Sequence, residues 1–208
     1  MTAGSAHVST TRPFYAAYDL LVTDPVEPWV RAVHARLPGR VPACIFAVTA
    51  VRPAPVTPPL ATVTRVVEVL QRHGMVPALG GSGLLVALGL TDRANDWDVA
   101  VDAPDDAVRA ALDEAGLAYR DATDRSGVYA TAWRYVIDGG DHDVDLLVRF
   151  ALRGPDGVEQ FPARVTGHWR GLPLGDPAVW LRAYRLLDRP GRADVLERWT
   201  ARTAPPRR

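Results

Sequence analysis

The residues with the clearest chemical potential lie in one stretch, Leu79 to Val101, LGGSGLLVALGLTDRANDWDVAV. It begins with Gly80, Gly81, Ser82 and Gly83 behind a short apolar run, and ends with Asp96 and Asp98 ahead of apolar positions. Side chains alternate along a strand, so carboxylates at i and i+2 project from one face. Mg²⁺ is commonly held by one or two carboxylates, with substrate phosphates completing its octahedral shell. A glycine-rich turn entering a helix leaves backbone N–H groups aimed at an anion, and Ser82 adds a hydroxyl there. The two halves describe a place for a phosphate beside a place for a divalent cation. Each has a plainer alternative: glycines after a strand also permit a tight turn, and Asp-X-Asp also occurs on solvent-facing strand edges.

A third carboxylate comes from HDVDLLVRF, where Asp143 and Asp145 share a face just before an apolar run. An acidic side chain entering a core is costly unless it is paired or bound to metal. Asp145 is preferred, because Leu146 and Leu147 follow it as Val99 follows Asp98; Asp143 is the alternative. Such a group either completes a cage for two ions, one activating the attacking oxygen and one steadying the leaving group, or serves as general base. His142 beside it reads as structural or exposed.

The elements that must position these residues follow from periodicity and punctuation. A helix is expected from about Leu60 to His73, with Val63, Val66, Val67 and Leu70 as its apolar stripe and Gly74 as its stop. Met75–Leu79 reads as a strand into the glycine turn, Leu84–Leu88 as a short buried helix, and Trp97–Val101 as a return strand. Asp96 follows Ser82 by fourteen positions, a distance that suits that helix and return, which would bring the turn and the carboxylates to one sheet edge. Asp105 and Asp106 open a helix whose face is Val108, Ala111, Leu112 and Ala115, stopped by Gly116. Gly127–Asp138 and His142–Leu152 read as an antiparallel hairpin turning at Gly139-Gly140. A weaker hairpin is expected between Val158 and Leu174. Helices Pro177–Leu187 and Ala193–Arg202, divided by Arg189-Pro190-Gly191, finish the chain. Trp180, Tyr184 and Leu187, at i, i+4 and i+7, read as core. The fold class is α+β, a mixed central sheet flanked by helices with C-terminal helices.

Before this region the chain is less informative. Residues 1–12 read as a disordered tail and 13–56 as an N-terminal extension of unknown role, with a helical pattern at Trp29, Val30, Val33 and Leu37 and a buried strand over Val41–Val51. RPAPVTPP, residues 52–59, holds four prolines in eight positions and reads as a linker. Residues 57–208 form the main domain. The chain has 208 residues, 48% of them hydrophobic and 23% charged, enough for an ordinary core. Its 24 basic residues, all arginine, balance 24 acidic ones. Zero net charge argues against a broad nucleic-acid surface. The single cysteine, Cys44, sits in an apolar run and is expected to be buried and inert. With no membrane-length apolar run and no signal-like N-terminus, a cytoplasmic protein is expected.

The pattern apolar-Gly-Gly-Ser, a gap, Asp-X-Asp, then a later apolar-Asp-apolar strand resembles the DNA polymerase beta-type nucleotidyltransferase superfamily. Within it, the pattern is most similar to the small aminoglycoside and lincosamide nucleotidyltransferases, over about Thr57 to Trp199. The resemblance implies the nucleotidyltransferase fold, with Gly80, Gly81 and Ser82 at the triphosphate and Asp96 and Asp98 on Mg²⁺, two ions being expected. It makes Asp145 a further metal ligand or the base. Arg93 resembles a basic residue of that loop that reaches the triphosphate. LRAYRLLDRPGRADVLERW resembles the C-terminal helical segment, with Arg182 and Arg185 where lysines are usual and Asp194 at the acidic position. Implied substrates are ATP or another NTP and a hydroxyl acceptor such as an aminoglycoside-like small molecule; the alternatives are a toxin-like enzyme acting on tRNA or protein, or an inactive nucleotide-binding module.

Overall fold

Strand Trp97–Val101 (β2) lies inside a seven-stranded mixed sheet, and its neighbours explain its sequence. The computed structural model describes residues 54–203. The tail, most of the extension, the helical pattern at 29–37, the strand over 41–51 and Cys44 lie outside the described residues. The remaining elements are helix α1 (Ala61–Arg72), β1 (Pro77–Leu79), α2 (Gly81–Ala87), β2, α3 (Asp105–Glu114), β3 (Tyr119–Asp121), β4 (Trp133–Asp138), β5 (Asp143–Val148), β6 (Ala151–Gly154), β7 (Gly157–Gln160), β8 (Val165–Trp169), β9 (Leu172–Gly175), α4 (Pro177–Leu186) and α5 (Pro190–Thr203). The sheet order is β3-β4-β5-β2-β1-β9-β8, and β6 with β7 forms a separate hairpin. β2 runs parallel to β5 and β1 parallel to β9; the other pairings are antiparallel. The α+β class expected from the pattern is the class observed.

On one face of β2, Trp97, Val99 and Val101 are fully buried, and on β5 Val144, Leu146 and Val148 stand directly opposite them. α1 packs against β1, β2 and α3 through Val63, Val66, Val67, Val69 and Leu70, the stripe read from the sequence with one valine more. The indole N–H of Trp97 donates to the Pro59 carbonyl at 3.2 Å. The other face of β2 carries Asp98 and Ala100, and here α4 and α5 bring Trp180, Tyr184 and Arg192.

Several boundaries differ from expectation for physical reasons. α2 begins at Gly81, because Gly80 is extended and Gly81 takes the positive φ of 51° that starts the turn. α5 begins at Pro190, since proline in a first turn forfeits no helical hydrogen bond. The long second strand of the hairpin breaks at Arg149, whose φ of 51° turns the chain out of the sheet and starts β6. β3 and the β6–β7 hairpin were not foreseen, being three and four residues long. Within the proline-rich stretch, Val56 is held by backbone hydrogen bonds. Val56, which unlike its proline neighbours keeps an N–H, donates to the Asp92 carbonyl at 2.7 Å and accepts from Ala94 at 3.1 Å. This pairs it with Arg93 in the loop ahead of Asp96.

Candidate active site

Strand register decides which carboxylates meet. Asp98 of β2 is the direct partner of Asp145 of β5, so the two project side by side from the same face. Asp143, the alternative third carboxylate, sits two residues further along the edge. It pairs at 3.8 Å with Arg120 and is half exposed. Asp96 lies just before β2, and the Ser82 hydroxyl donates to it at 3.3 Å. The turn, Asp96, Asp98 and Asp145 are therefore brought together, whereas Asp143 is left on the surface.

Close packing explains the glycines. Gly80 donates its N–H to the Asp98 carbonyl at 2.8 Å, extending the β1–β2 ladder by one residue. A Cβ on Gly80 would lie 1.7 Å from the Trp180 ring, and one on Gly81 would lie 1.7 Å from Oδ2 of Asp98. Gly80 is thus covered by an aromatic ring, and Gly81 is the backbone against which the Asp98 carboxylate rests. Ser82 opens instead onto a cleft of about 180 Å³ lined also by Arg93, Gly191, Arg192 and Val195. Arg93 has no side-chain hydrogen bond or ion pair among the described residues.

The electrostatics centre on Asp98. Burial, then the charges of Asp96 and Asp145, push its carboxyl up to about 7, with Arg192 and Arg134 opposing the rise. Arg134 on β4 is the diagonal neighbour of Asp145, two residues before Val136, which stands directly opposite. Its Nε and Nη2 donate to the two Asp145 oxygens at 3.1 and 2.7 Å, a bidentate pair. The neighbouring carboxylate raises the affinity of Arg134 for its proton still further. Tyr184 is core, as its spacing suggested, yet its hydroxyl is buried with no hydrogen-bond partner among the described residues. Burial and then Asp98 push that hydroxyl well above the usual phenol range. The Arg192 guanidinium stands 5.8 Å from the Tyr184 ring centroid without completing a bond to the hydroxyl.

Of the other residues singled out, Arg182 and Arg185 are spent on ion pairs with Glu159 and Glu197, and Asp194 is exposed. His142 is structural: its side chain is almost fully buried under the hairpin, with Nδ1 2.7 Å from Asp141. Arg134, Tyr184 and Arg192 were not picked out as site residues in the sequence. Arg134 becomes visible only once β4 is set in register with β5, and Arg192 only once α5 packs on α4 and reaches the cleft beside Ser82.

The donor set can be tested against a divalent cation. Among the described residues no group of three His, Cys, Asp or Glu side chains converges as a ready ligand set. Asp96 and Asp98 are a fitting pair: they are two residues apart at the start of β2, and burial, then the charges of Asp96 and Asp145, raise the Asp98 carboxyl and leave a demand for positive charge that the arginines meet only in part. Asp145 has both oxygens engaged by Arg134.

No protein-family model matches this chain, and no curated protein does. Solved structures with a similar backbone include a candidate nucleotidyltransferase from Thermotoga maritima, with 15% identity, 69% of this chain and 92% of that one covered, and a TM-score of 0.47. Another is the antibiotic-resistance factor ANT(2'')-Ia in solution, with 13% identity, 70% and 84% covered, and a TM-score of 0.48. A third is ANT(2'')-Ia in complex with adenylyl-2''-tobramycin, with 14% identity, 70% and 98% covered, and a TM-score of 0.40.

Proposed function

We propose that this chain transfers a nucleotidyl group from ATP or another NTP to a hydroxyl of a small molecule, in the presence of Mg²⁺. The observation that carries the reading is the side-by-side pairing of Asp98 with Asp145, next to Asp96 and the Gly81-Ser82 turn. Three neighbouring carboxylates, joined through Ser82 to a cleft bordered by Arg93 and Arg192, suit a phosphate that arrives with its own cation. In this reading residues 57–208 are the catalytic unit, acting in the cytoplasm where nucleoside triphosphates are available.

Asp96 and Asp98 would hold the ion, which when bound neutralises charge on the α-phosphate and on the departing pyrophosphate. Ser82, Arg93 and Arg192 border the cleft on the side where the triphosphate would lie, and the two guanidiniums offer bidentate contacts to its oxygens. The acceptor hydroxyl oxygen forms the new bond to the α-phosphorus, the bond to the β-phosphate oxygen breaks, and pyrophosphate leaves. The hydroxyl proton passes to Asp145, which gives up one of its Arg134 hydrogen bonds to take it. Positioning and charge neutralisation supply most of the acceleration. The acidic cluster also favours a cationic acceptor, and an aminoglycoside is the example that the sequence resemblance suggests.

The test is incubation with Mg²⁺, α-labelled ATP and a panel of aminoglycosides and lincosamides. The expected result is pyrophosphate release matched by label on one acceptor. Label on tRNA or protein alone would give the site a different acceptor. No transfer to any acceptor with any of the four NTPs would refute the reading.

A further inference from the structure

We propose that the Arg134 guanidinium takes the place of a second divalent cation, so that this chain holds one ion through Asp96 and Asp98 while Asp145 never touches metal. The inference rests on the nucleotidyl-transfer reading above and departs from the two ions that the sequence resemblance implies. Its basis is the grip on Asp145. That residue is 8% exposed, and both of its oxygens accept from one guanidinium, at 3.1 and 2.7 Å. An ion ligated by either oxygen would lie about 2.1 Å from it, and so within roughly 5 Å of a fixed positive charge. Arg134 cannot relieve that repulsion by losing its proton, because a guanidinium stays charged in proteins.

The substitution is also electrically complete. One divalent ion and the Arg134 guanidinium together match the formal charge of the three carboxylates. Arg134 is equipped for part of the missing ion's work. Its side chain is 42% exposed, its Nη1 has no hydrogen bond among the described residues, and three of its five N–H groups remain for phosphate oxygens. The arrangement is built into the sheet: Arg134 reaches Asp145 because both side chains leave the same face of adjacent strands, one diagonal step apart.

The experiment counts Mn²⁺ bound per chain by electron paramagnetic resonance, with the protein alone and with a non-hydrolysable α,β-methylene ATP. Wild type is expected to bind one Mn²⁺ in addition to any carried by free nucleotide. Asp98→Asn should weaken that site at least tenfold, and Asp145→Asn should leave it within about twofold. Arg134→Met should open a second, weaker Mn²⁺ site that the double variant Arg134→Met, Asp145→Asn loses. The double variant also removes the unpaired buried carboxylate, should Arg134→Met alone fold poorly. Two Mn²⁺ on wild type, a tenfold loss in Asp145→Asn, or a single site in folded Arg134→Met would each overturn the inference while leaving metal-dependent transfer standing. No Mn²⁺ on wild type in either condition would overturn both.

Discussion

The crowding of Asp98 makes a measurable demand on stability. Its carboxyl is lifted from 3.8 to about 7 in the folded chain, chiefly by burial and then by Asp96 and Asp145. At roughly 1.36 kcal/mol per pKa unit, that rise corresponds to at most about 4 kcal/mol. The sign follows from which state binds the proton more tightly. Well below pH 3.8 the group is neutral both folded and unfolded, and it costs the fold nothing. As pH rises from 4 through 7 the unfolded chain ionises it freely while the folded chain resists, so stability falls and stays low above pH 7. Asp98→Asn keeps the shape and removes the charge. Wild type and variant should therefore be about equally stable at pH 4, and by pH 8 the variant should lead by about 2–4 kcal/mol. For a unit of this size that is roughly 5–15 °C in Tm. Mg²⁺ at ten times its Kd should return about 1.4 kcal/mol to wild type at pH 8 and almost nothing to the variant. Thermal unfolding by circular dichroism from pH 4 to 8, with and without Mg²⁺, reads both effects. A wild-type-to-variant difference that does not change with pH, or equal stabilisation of both by Mg²⁺, would refute the argument.

Other perturbations follow from the same contacts. Gly81→Ala sets a methyl 1.7 Å from Asp98 Oδ2 at a φ of 51°, so it should cost about 2–4 kcal/mol in urea unfolding and abolish transfer by displacing the carboxylate. Arg192→Ala removes a cleft guanidinium and should raise the KM for NTP by about 10- to 100-fold, with Arg192→Lys recovering only part; steady-state kinetics at saturating acceptor decide this. Tyr184→Phe deletes a buried hydroxyl that has no hydrogen-bond partner among the described residues and should raise stability by about 1 kcal/mol in chemical denaturation; a loss of that size would show that the hydroxyl is satisfied in solution.

Much of this arrangement is legible in the chain itself. The valine stripe of α1, the acidic first turn of α3 and the apolar alternation of β2 each follow a simple period, and each appears within a residue or two of its expected place. Asp96 and Asp98 announce themselves by spacing, and Ser82 by the glycines around it. What spacing cannot supply is register. Asp143 and Asp145 share a face of β5, and only the pairing of β5 with β2 sets Asp145 against Asp98 while leaving Asp143 to Arg120. Arg134 is hidden for the same reason, one more arginine in a strand until Val136 is seen opposite Asp145. Tyr184 shows the other limit. Helical spacing correctly places it in the core, but not its hydroxyl among the charges of the site. The glycines were legible as special and misread in part, since Gly80 is small to admit the Trp180 ring rather than to expose backbone to a ligand.

The Trp180 cover on Gly80 carries a consequence for synthesis. β1 pairs with β9, and α4 and α5 follow β9, so the ribosome has finished Asp96, Asp98 and Asp145 long before it reaches Trp180 and Arg192. A nascent chain thus holds its acidic trio without the aromatic roof or the last guanidinium. The site described above is therefore complete only after the last two helices have been made.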